Sequence, residues 1–368
     1  MGFLLLLPAR PCQNNSSHNS GARIMSKQQE SQPTYRALDL GYGYTKFSKG
    51  HYLDDTTVDV GAFPSYAVRS VDSLGSDRLG VIQVKVDAAK FWVGEQVRYA
   101  ADGRGRQLLE ASFFGSSQYL ALAKGALAFM NVPREDVIDA LVMGLPNDLM
   151  GDDDLIAYIK ASIGGDHVVP NIKEPGAQRT IRVKKVKIIP QVVGSLIALS
   201  REAGLVEKVE KEQNLTIDTG YGTVLWLVTK GFIPLRARCG SNMGGVSALL
   251  QEIATNIDVS VTSNINILHR IDTALLNNES TIMVYGQDVS LAKFHDIQRF
   301  RAKESITDVM RELGSIADLD NIFLTGGGSY LFKAAVAAAF PKHKVNFAAH
   351  GSRFTNVLGF QFLAETDN

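Results

Sequence analysis

The chain carries two copies of one short motif, in which an apolar segment ends in Asp and a Gly-x-Gly turn follows. The first copy runs from Asp39 to Thr45 (DLGYGYT), and the second from Asp218 to Thr223 (DTGYGT). A Gly-x-Gly turn lets two extended segments reverse direction and exposes backbone N–H groups that no side chain covers. The repetition predicts two related domains that face each other.

The patterns around the two motifs predict alternating strands and helices, which is typical of an α/β fold. We expect a first domain at residues 34–190 plus 341–368, with a small inserted subdomain at about 51–100, and a second domain at 191–340. Predicted strands cover residues 36–40, 137–143, 179–189, 215–218, 223–229, 232–238 and 321–324. Predicted helices cover residues 117–130, 152–163, 192–202, 245–257, 294–313 and 331–340.

Residues 1–33 are expected to be either a disordered N-terminal extension or a segment added by a start site placed too far upstream. Residues 13–21 are polar and rich in Asn and Ser, and Met25 begins a more usual start. The apolar residues 3–7 form a run shorter than the ~7–15 residues of a signal-peptide core, and no basic residue precedes them.

Composition narrows the possible partners. Lys plus Arg number 38 and Asp plus Glu number 38, a balance that argues against a chain that coats DNA through its overall charge. The two cysteines, Cys12 and Cys239, have no spacing typical of a zinc site, and we expect a reducing, cytoplasmic location. No apolar run reaches the ~20 residues needed to span a bilayer, so no membrane association is expected.

Two such turns that face each other can hold a polyphosphate from both sides. Asp39 and Asp218 would repel phosphate directly, but each can hold Mg²⁺ through water, and the metal then bridges to the phosphates. Lys46 is expected to neutralise phosphate charge. Predicted hydroxyl donors to phosphate oxygens are Thr45, Thr219 and Thr223. The competing interpretation is that both motifs are simply tight hairpins.

A third glycine cluster, Gly326-Gly327-Gly328, lies between a predicted strand and a predicted helix. Such a position is typical of a close backbone approach to a nucleotide. The chain has no Gly-x-x-x-x-Gly-Lys-Ser/Thr motif, and neither Gly-x-Gly turn continues into Gly-x-x-Gly. Both P-loop and dinucleotide-binding folds are therefore excluded.

These motifs resemble the actin, heat-shock chaperone and sugar kinase superfamily of ATPases across about residues 35–360. The short chain and the Pro190-Gln191 step are most similar to the plasmid-segregation actins of the ParM/StbA group, and the plasmid-borne family of PRTRC protein D is similar in the same regions. The resemblance implies two actin-like (ribonuclease H-like) domains with a cleft for ATP (or GTP) and Mg²⁺. It identifies two phosphate loops and an adenosine loop: Gly41, Tyr42, Gly43, Tyr44, Thr45, Lys46; Thr219, Gly220, Tyr221, Gly222, Thr223; Gly326, Gly327, Gly328.

The resemblance also implies roles for residues between these loops. Gln191 matches a position that orients the attacking water, because a Gln can hold water in line with the γ-phosphate without being a strong base. Gly194 would let the following helix cross close to the other domain, and Gly244 and Gly245 are expected to approach the nucleotide. Together with Gln191, Asp39 and Asp218 are the expected catalytic residues.

Three classes of function stay open at this stage. The first is an ATPase of slow turnover that assembles into filaments and segregates plasmids through a DNA-bound adaptor protein. The second is a small-molecule kinase of the same fold, although a kinase needs a catalytic Asp where this chain has Gln191. The third is a nucleotide-dependent switch that does not polymerise.

One basic segment, residues 179–189, raises the question of direct DNA binding. It alternates basic and apolar residues but lacks interleaved aromatic residues, so we expect a solvated edge strand protected by charge rather than a DNA site.

Overall fold

The computed structural model describes residues 32–51, 57–70, 80–100, 111–133, 135–348 and 352–366. The predicted N-terminal extension, with Cys12, lies outside these residues except for its last two positions. None of the described helices has the length and apolar character required to cross a membrane.

The first half of the chain alternates strands and helices around one central sheet. Its elements are β1 (Tyr35–Leu40), β2 (Tyr44–His51), β3 (Val58–Pro64), β4 (Val68–Arg69), β5 (Val81–Val86), β6 (Ala89–Gly94), α1 (Val97–Ala100), α2 (Ser117–Phe129), β7 (Val137–Ile138), β8 (Ala140–Leu145), α3 (Asp153–Ile163), β9 (Gly165–Pro170), β10 (Gln178–Val183), β11 (Val186–Pro190) and α4 (Gln191–Glu202). The sheet has the order β3-β2-β1-β8-β11, in which β1, β2 and β3 are antiparallel and β8 and β11 run parallel to β1.

The second half repeats this topology. Its elements are α5 (Val206–Val209), β12 (Gln213–Thr219), β13 (Val224–Lys230), β14 (Ile233–Pro234), β15 (Gly240–Asn242), α6 (Val246–Ile257), α7 (Ile265–Leu276), β16 (Thr281–Val284), β17 (Gln287–Ser290), α8 (His295–Leu313), β18 (Asn321–Thr325), α9 (Ser329–Ala339), β19 (Val345–Phe347) and α10 (Thr355–Thr366). The sheet order is β14-β13-β12-β18-β19, again an antiparallel meander followed by two parallel strands. The predicted fold, two α/β domains of related architecture, is confirmed.

The central strand of the first sheet is covered on both faces, which explains its continuous apolar run. Leu38 and Leu40 pack in the core that contains α2, whereas Ala37 points to the opposite face and packs with α4 and α10. That second core also includes Leu225 and Leu227 from the second sheet, so α4 and α10 lie in a layer shared by both halves.

Helices α4 and α10 cross at a pair of glycines. A Cβ placed on Gly359 of α10 would lie 1.8 Å from the carbonyl oxygen of Gly194 on α4, so no other residue fits there. Gly194 therefore permits a close crossing, as expected, and its neighbour in the crossing is α10.

The basic segment at residues 179–189 is not one edge strand, so that prediction is wrong. It divides into β10, which lies between β7 and β9 in a separate three-stranded sheet, and β11, which forms the edge of the first central sheet. Three of its five cations are paired with acids: Arg179 with Asp136, Arg182 with Asp166 and Lys184 with Asp139.

Two further local predictions differ from the structure. The strand predicted at residues 232–238 is only the two-residue β14, followed by the 3-10 helix Arg236–Arg238. The domain boundary placed at residue 341 cuts off β19, which pairs with β18 in the second sheet. We therefore place the return to the first domain after β19, at the start of the 3-10 helix Ser352–Phe354 that leads into α10.

Candidate functional site

The first turn connects β1 to β2 and is stabilised by hydrogen bonds from buried hydroxyl groups. Ser65 Oγ donates a hydrogen bond to the Gly41 carbonyl (2.6 Å) and accepts one from Thr45 Oγ1 (3.1 Å). Thr45 is fully buried by this contact. Its hydroxyl therefore holds the turn in place and does not face the cleft, contrary to the predicted phosphate contact.

The second turn connects β12 to β13 and supports the start of α6. The amides of Val246 and Ser247 donate to the carbonyls of Gly220 (3.2 Å) and Tyr221 (2.7 Å). Thr219 Oγ1 donates to the Thr325 carbonyl at 3.0 Å and is fully buried. The predicted phosphate contact of this hydroxyl is thus also replaced by a structural one.

The two turns touch each other, and the contact is reciprocal. A Cβ on Gly43 of the first turn would lie 2.4 Å from Cβ of Tyr221, and a Cβ on Gly222 of the second turn would lie 2.9 Å from Cδ2 of Tyr42. Each glycine thus makes room for the tyrosine of the opposite turn. The two motifs that are far apart in sequence thus form one site, in which Asp218 lines the cleft and Asp39 lies behind it.

Asp39 is completely buried behind this site and is fully paired. Its Oδ2 accepts a hydrogen bond from Lys46 Nζ at 2.7 Å, and its Oδ1 accepts one from Gln191 Nε2 at 2.7 Å. The antiparallel register places Lys46 directly opposite Asp39, where side chains share one face of the hairpin. The first acid therefore has a cation of its own.

Asp218 has the same position in the second hairpin but no cation opposite it, because the register pairs it with Leu225. Its Oδ2 accepts one hydrogen bond, from Asn356 Nδ2 at 2.9 Å. Burial raises the pKa of this carboxyl group, and the charge of Lys46 opposes that rise. An ionised carboxylate with one neutral donor in a buried position is costly unless a cation approaches it.

The third glycine cluster closes over Asp218. Gly326 has a φ of +94°, and a Cβ there would lie 2.3 Å from Asp218 Oδ1. The amide of Gly328 donates to the Thr219 carbonyl at 2.9 Å, which ties this cluster to the second turn. The carboxylate and the two glycine segments are thus built as one unit.

Gly244 and Gly245 are required by packing and do not line the cleft. A Cβ on Gly244 would lie 2.0 Å from Oγ of Ser305 on α8, and a Cβ on Gly245 would lie 2.6 Å from the backbone of Gly222. Their predicted approach to a nucleotide is therefore replaced by a close approach to α8 and to the second turn, respectively.

The far end of the cleft contains polar groups that the sequence did not indicate. Burial raises the pKa of Asp272 on α7 to about 6, and Tyr330 Oη lies 3.4 Å from its Oδ1. His269, one turn earlier, has its pKa lowered to about 4 by burial. The Arg353 guanidinium lies 5.8 Å from the ring centroid of Tyr44, on the opposite wall.

Most predicted site residues line this cleft: Gly41, Tyr42, Gly43, Tyr44, Lys46, Gln191, Asp218, Gly220, Tyr221, Gly222, Thr223, Gly326, Gly327 and Gly328. Asp39 lies behind these residues.

The cleft is also lined by residues that the sequence did not indicate: His269, Asp272, Thr273, Tyr330, Arg353 and Asn356. The signal for α7 was present in the apolar spacing of residues 265–275, and Asn356-x-x-Gly359 repeats the pattern of Gln191-x-x-Gly194.

The donor set fits a metal ion that is held mainly by water and ligand oxygens. Among the described residues no three His, Cys, Asp or Glu side chains are placed to share one ion. Mg²⁺ usually keeps several waters and binds through one or two carboxylates plus phosphates, which a single carboxylate such as Asp218 can support.

Two family models match successive parts of the chain. Residues 37–194 match the model for the N-terminal domain of actin-like proteins. Residues 216–338 match the model for the C-terminal domain of MreB-like archaeal actin homologues. No curated protein sequence matches significantly.

Solved structures superpose on almost the whole described fold. Ta0583, an archaeal actin homolog, has a TM-score of 0.72 at 20% identity and covers 90% of this chain and 99% of its own. Its complex with ADP has a TM-score of 0.69, with the same identity and coverage. A 15-stranded ParM filament from Clostridium botulinum has a TM-score of 0.68 at 17% identity, covering 90% of this chain and 99% of the other. At these identities the likeness establishes the fold.

Proposed function

Because the chain consists of the two domains of an actin-like protein, we propose that it binds ATP with Mg²⁺ in the cleft between its two glycine turns and hydrolyses the nucleotide slowly. The observation that carries this proposal is the reciprocal contact of the turns, which brings Asp218 to the cleft and Asp39 directly behind it. A structural homologue with ADP bound supports it.

At the phosphate end of the cleft, Lys46 supplies a cation and Asp218 is a carboxylate that needs one. Lys46 lines the cleft from the first domain while Asp39 holds its ammonium group in place. Asp218 lines it from the second domain with only a neutral amide as donor. When bound, Mg²⁺ would neutralise charge on the phosphates during hydrolysis. Asp218 is the carboxylate available to hold its water shell.

Gln191 would place the attacking water. Its side chain lies at the first turn of α4, lines the cleft and is fixed by Asp39. An amide can orient water but is a poor base, which fits slow turnover rather than fast catalysis. The same feature disfavours the kinase alternative, because a kinase needs a carboxylate to accept the proton of its substrate hydroxyl.

The nucleoside would occupy the far end of the cleft. Asp272 offers an acceptor for ribose hydroxyl groups, and Tyr330 and Tyr44 offer ring surfaces for a base. These groups do not select between adenine and guanine by themselves, so ATP is proposed on the basis of the fold.

The nucleotide state would in turn control self-association. A 15-stranded ParM filament is built from subunits of the same fold, which supports filament assembly for this chain. A role in plasmid segregation through a DNA-bound adaptor is proposed from the sequence resemblance to the ParM/StbA group. Direct DNA contact is not part of the proposal, because the basic residues of β10 are paired with acids.

Two substitutions test the site together. Asp218→Ala should nearly abolish Mg²⁺-dependent ATP hydrolysis, because the cleft loses the carboxylate that would hold the water shell of the metal. Gln191→Ala should slow hydrolysis while keeping nucleotide affinity, measured with a fluorescent ATP analogue. Asp154→Ala, at an exposed carboxylate on α3, is the control. Normal turnover in the Asp218 variant, or lost binding in the Gln191 variant, would contradict the assigned roles.

A further inference from the structure

The two halves of the chain repeat not only their sheets and turns but also the helices that follow them. Helix α4 follows the second parallel strand of the first sheet and α10 follows that of the second sheet. Each carries an amide residue three positions before the glycine of the crossing: Gln191 before Gly194, and Asn356 before Gly359. The two amides thus occupy equivalent places.

Each amide bonds the acid of its own half. Gln191 Nε2 donates to Asp39 Oδ1 at 2.7 Å, and Asn356 Nδ2 donates to Asp218 Oδ2 at 2.9 Å. All four side chains are buried. From this repetition we propose that Asn356 is a positioning residue for Mg²⁺: it orients the Asp218 carboxylate toward the cleft and thereby sets the affinity of the nucleotide-bound protein for the metal.

The orientation of Asn356 is itself fixed. Ser195 Oγ donates to Asn356 Oδ1 at 2.6 Å, so the amide nitrogen is the atom that faces Asp218. Ser195 Oγ also lies 2.9 Å from Thr355 Oγ1, which donates its own proton to the Ser352 carbonyl at 2.8 Å, so the Ser195 proton is shared between Asn356 and Thr355. The ionised Asp218 carboxylate can only accept, which independently turns the Asn356 nitrogen toward it.

The two halves differ in what would remain if the amide were removed. Asp39 would keep its bond to Lys46, whereas Asp218 would lose the one side-chain donor that reaches it within the described part of the chain. No side-chain hydrogen bond from the described residues would then fix the orientation of the Asp218 carboxylate. Groups that orient a metal ligand typically change metal affinity by ~10- to 100-fold when they are removed.

This inference rests on the proposed function and is tested by binding rather than by turnover. The affinity of a fluorescent ADP analogue is measured with EDTA and over a series of Mg²⁺ concentrations, for the wild type, Asn356→Ala and the similarly sized Asn356→Leu. We expect both variants to bind the analogue normally in EDTA. The Mg²⁺ concentration that produces half of the change in analogue affinity should rise ~10-fold or more, because neither variant donates a hydrogen bond to Asp218.

Two further variants separate positioning from mere stability. Ser195→Ala keeps Asn356 but releases its orientation, so we expect a smaller shift of the Mg²⁺ dependence in the same direction. Asn214→Ala removes a fully buried Asn at the far end of the same strand as Asp218. It should lower the melting temperature and leave the Mg²⁺ dependence unchanged.

The outcomes distinguish this inference from the proposed function. If the wild type shows no Mg²⁺-dependent nucleotide binding, the proposed function fails. If the wild type shows it and the Asn356 variants share its half-effect concentration, the positioning role is refuted and the proposed function stands. If Asn356→Ala does not fold, an unchanged Mg²⁺ dependence in Ser195→Ala and Asn356→Leu refutes the role equally.

Discussion

Asp39 and Asp218 begin two nearly identical motifs, yet the residue opposite each one gives them different chemistry. Lys46 lies across from Asp39, so that acid forms a buried ion pair, whereas Leu225 lies across from Asp218 and leaves it to a neutral amide. The difference follows from hairpin register, because directly opposed residues share one face of a sheet. The first acid thus organises protein groups, and the second is suited to an external cation.

The buried carboxyl group of Asp272 should make the free energy of unfolding depend on pH. Its folded-state pKa of about 6 lies above the usual 3.8, so folding favours its protonated form. The resulting stability is present below about pH 4 and is lost as the pH rises through 6. A shift of this size corresponds to about 2 to 3 kcal/mol of unfolding free energy at neutral pH.

Asp272→Asn should therefore be more stable than the wild type at pH 7.5 by about that amount, because it removes the buried charge. The gap should shrink as the pH falls from 6 to 4, because the folded wild-type carboxyl becomes protonated over that range whereas the unfolded one titrates near 3.8. Urea unfolding of the nucleotide-free proteins at several pH values measures it. A gap that does not change with pH would show that the carboxyl is not protonated by burial.

At the scale of single residues, sequence reasoning located the turns but not the direction of every side chain. The residue types in both motifs predicted an anion site, and the glycines and tyrosines of the turns line the cleft. Thr45 and Thr219 were misassigned because a hydroxyl can face either side of its strand, and each bonds inside the protein instead. Asp272 was missed because its environment forms only in the folded chain.

At the scale of elements, periodicity predicted six helices, α2, α3, α4, α6, α8 and α9, but not α7 and α10, which are as long as α4 and α6. It failed where two elements meet without a Gly or Pro between them, as at Lys184 and Lys185, which separate β10 from β11 in different sheets. It also failed for β14, because pairing with β13 ends after two residues and the chain turns into a 3-10 helix. Neither change of strand pairing is visible in the local sequence.

The crossing of α4 and α10 predicts a large effect from one methyl group. Gly359→Ala should lower the unfolding free energy by ~3 kcal/mol or more, because its Cβ would meet backbone atoms of Gly194 that cannot move aside. Gly151→Ala, which meets no atom within 4 Å, should stay within ~0.5 kcal/mol of the wild type. Urea unfolding compares them, and equal stability of both variants would exclude a rigid crossing.

At the scale of the molecule, the duplicated motif was enough to predict two related domains, because each copy needs its own sheet to support it. The exact division was not predictable, since β19 completes the second sheet while α10 returns to the first. Such a return depends on which apolar face is left uncovered, and that is decided by the whole fold.

Assembly is tested on the intact protein. We expect ATP with Mg²⁺ to raise light scattering and to move the protein into the pellet in high-speed sedimentation, and ADP to reverse this. Asp218→Ala should not respond to Mg²⁺. If no assembly occurs in any nucleotide state, filament formation is refuted. Phosphate transfer to a small molecule under the same conditions would then favour the kinase alternative.

The shared layer of α4 and α10 has a consequence for biosynthesis. The face of β1 and β8 that carries Ala37 and Val142 is covered by α10, which leaves the ribosome only after the entire second sheet. Domains tend to fold in the order of their synthesis. In this chain the first half would do so with an exposed apolar surface, until α10 has been synthesised. Translation speed and holdase chaperones should therefore influence the yield of this protein more than its final stability suggests.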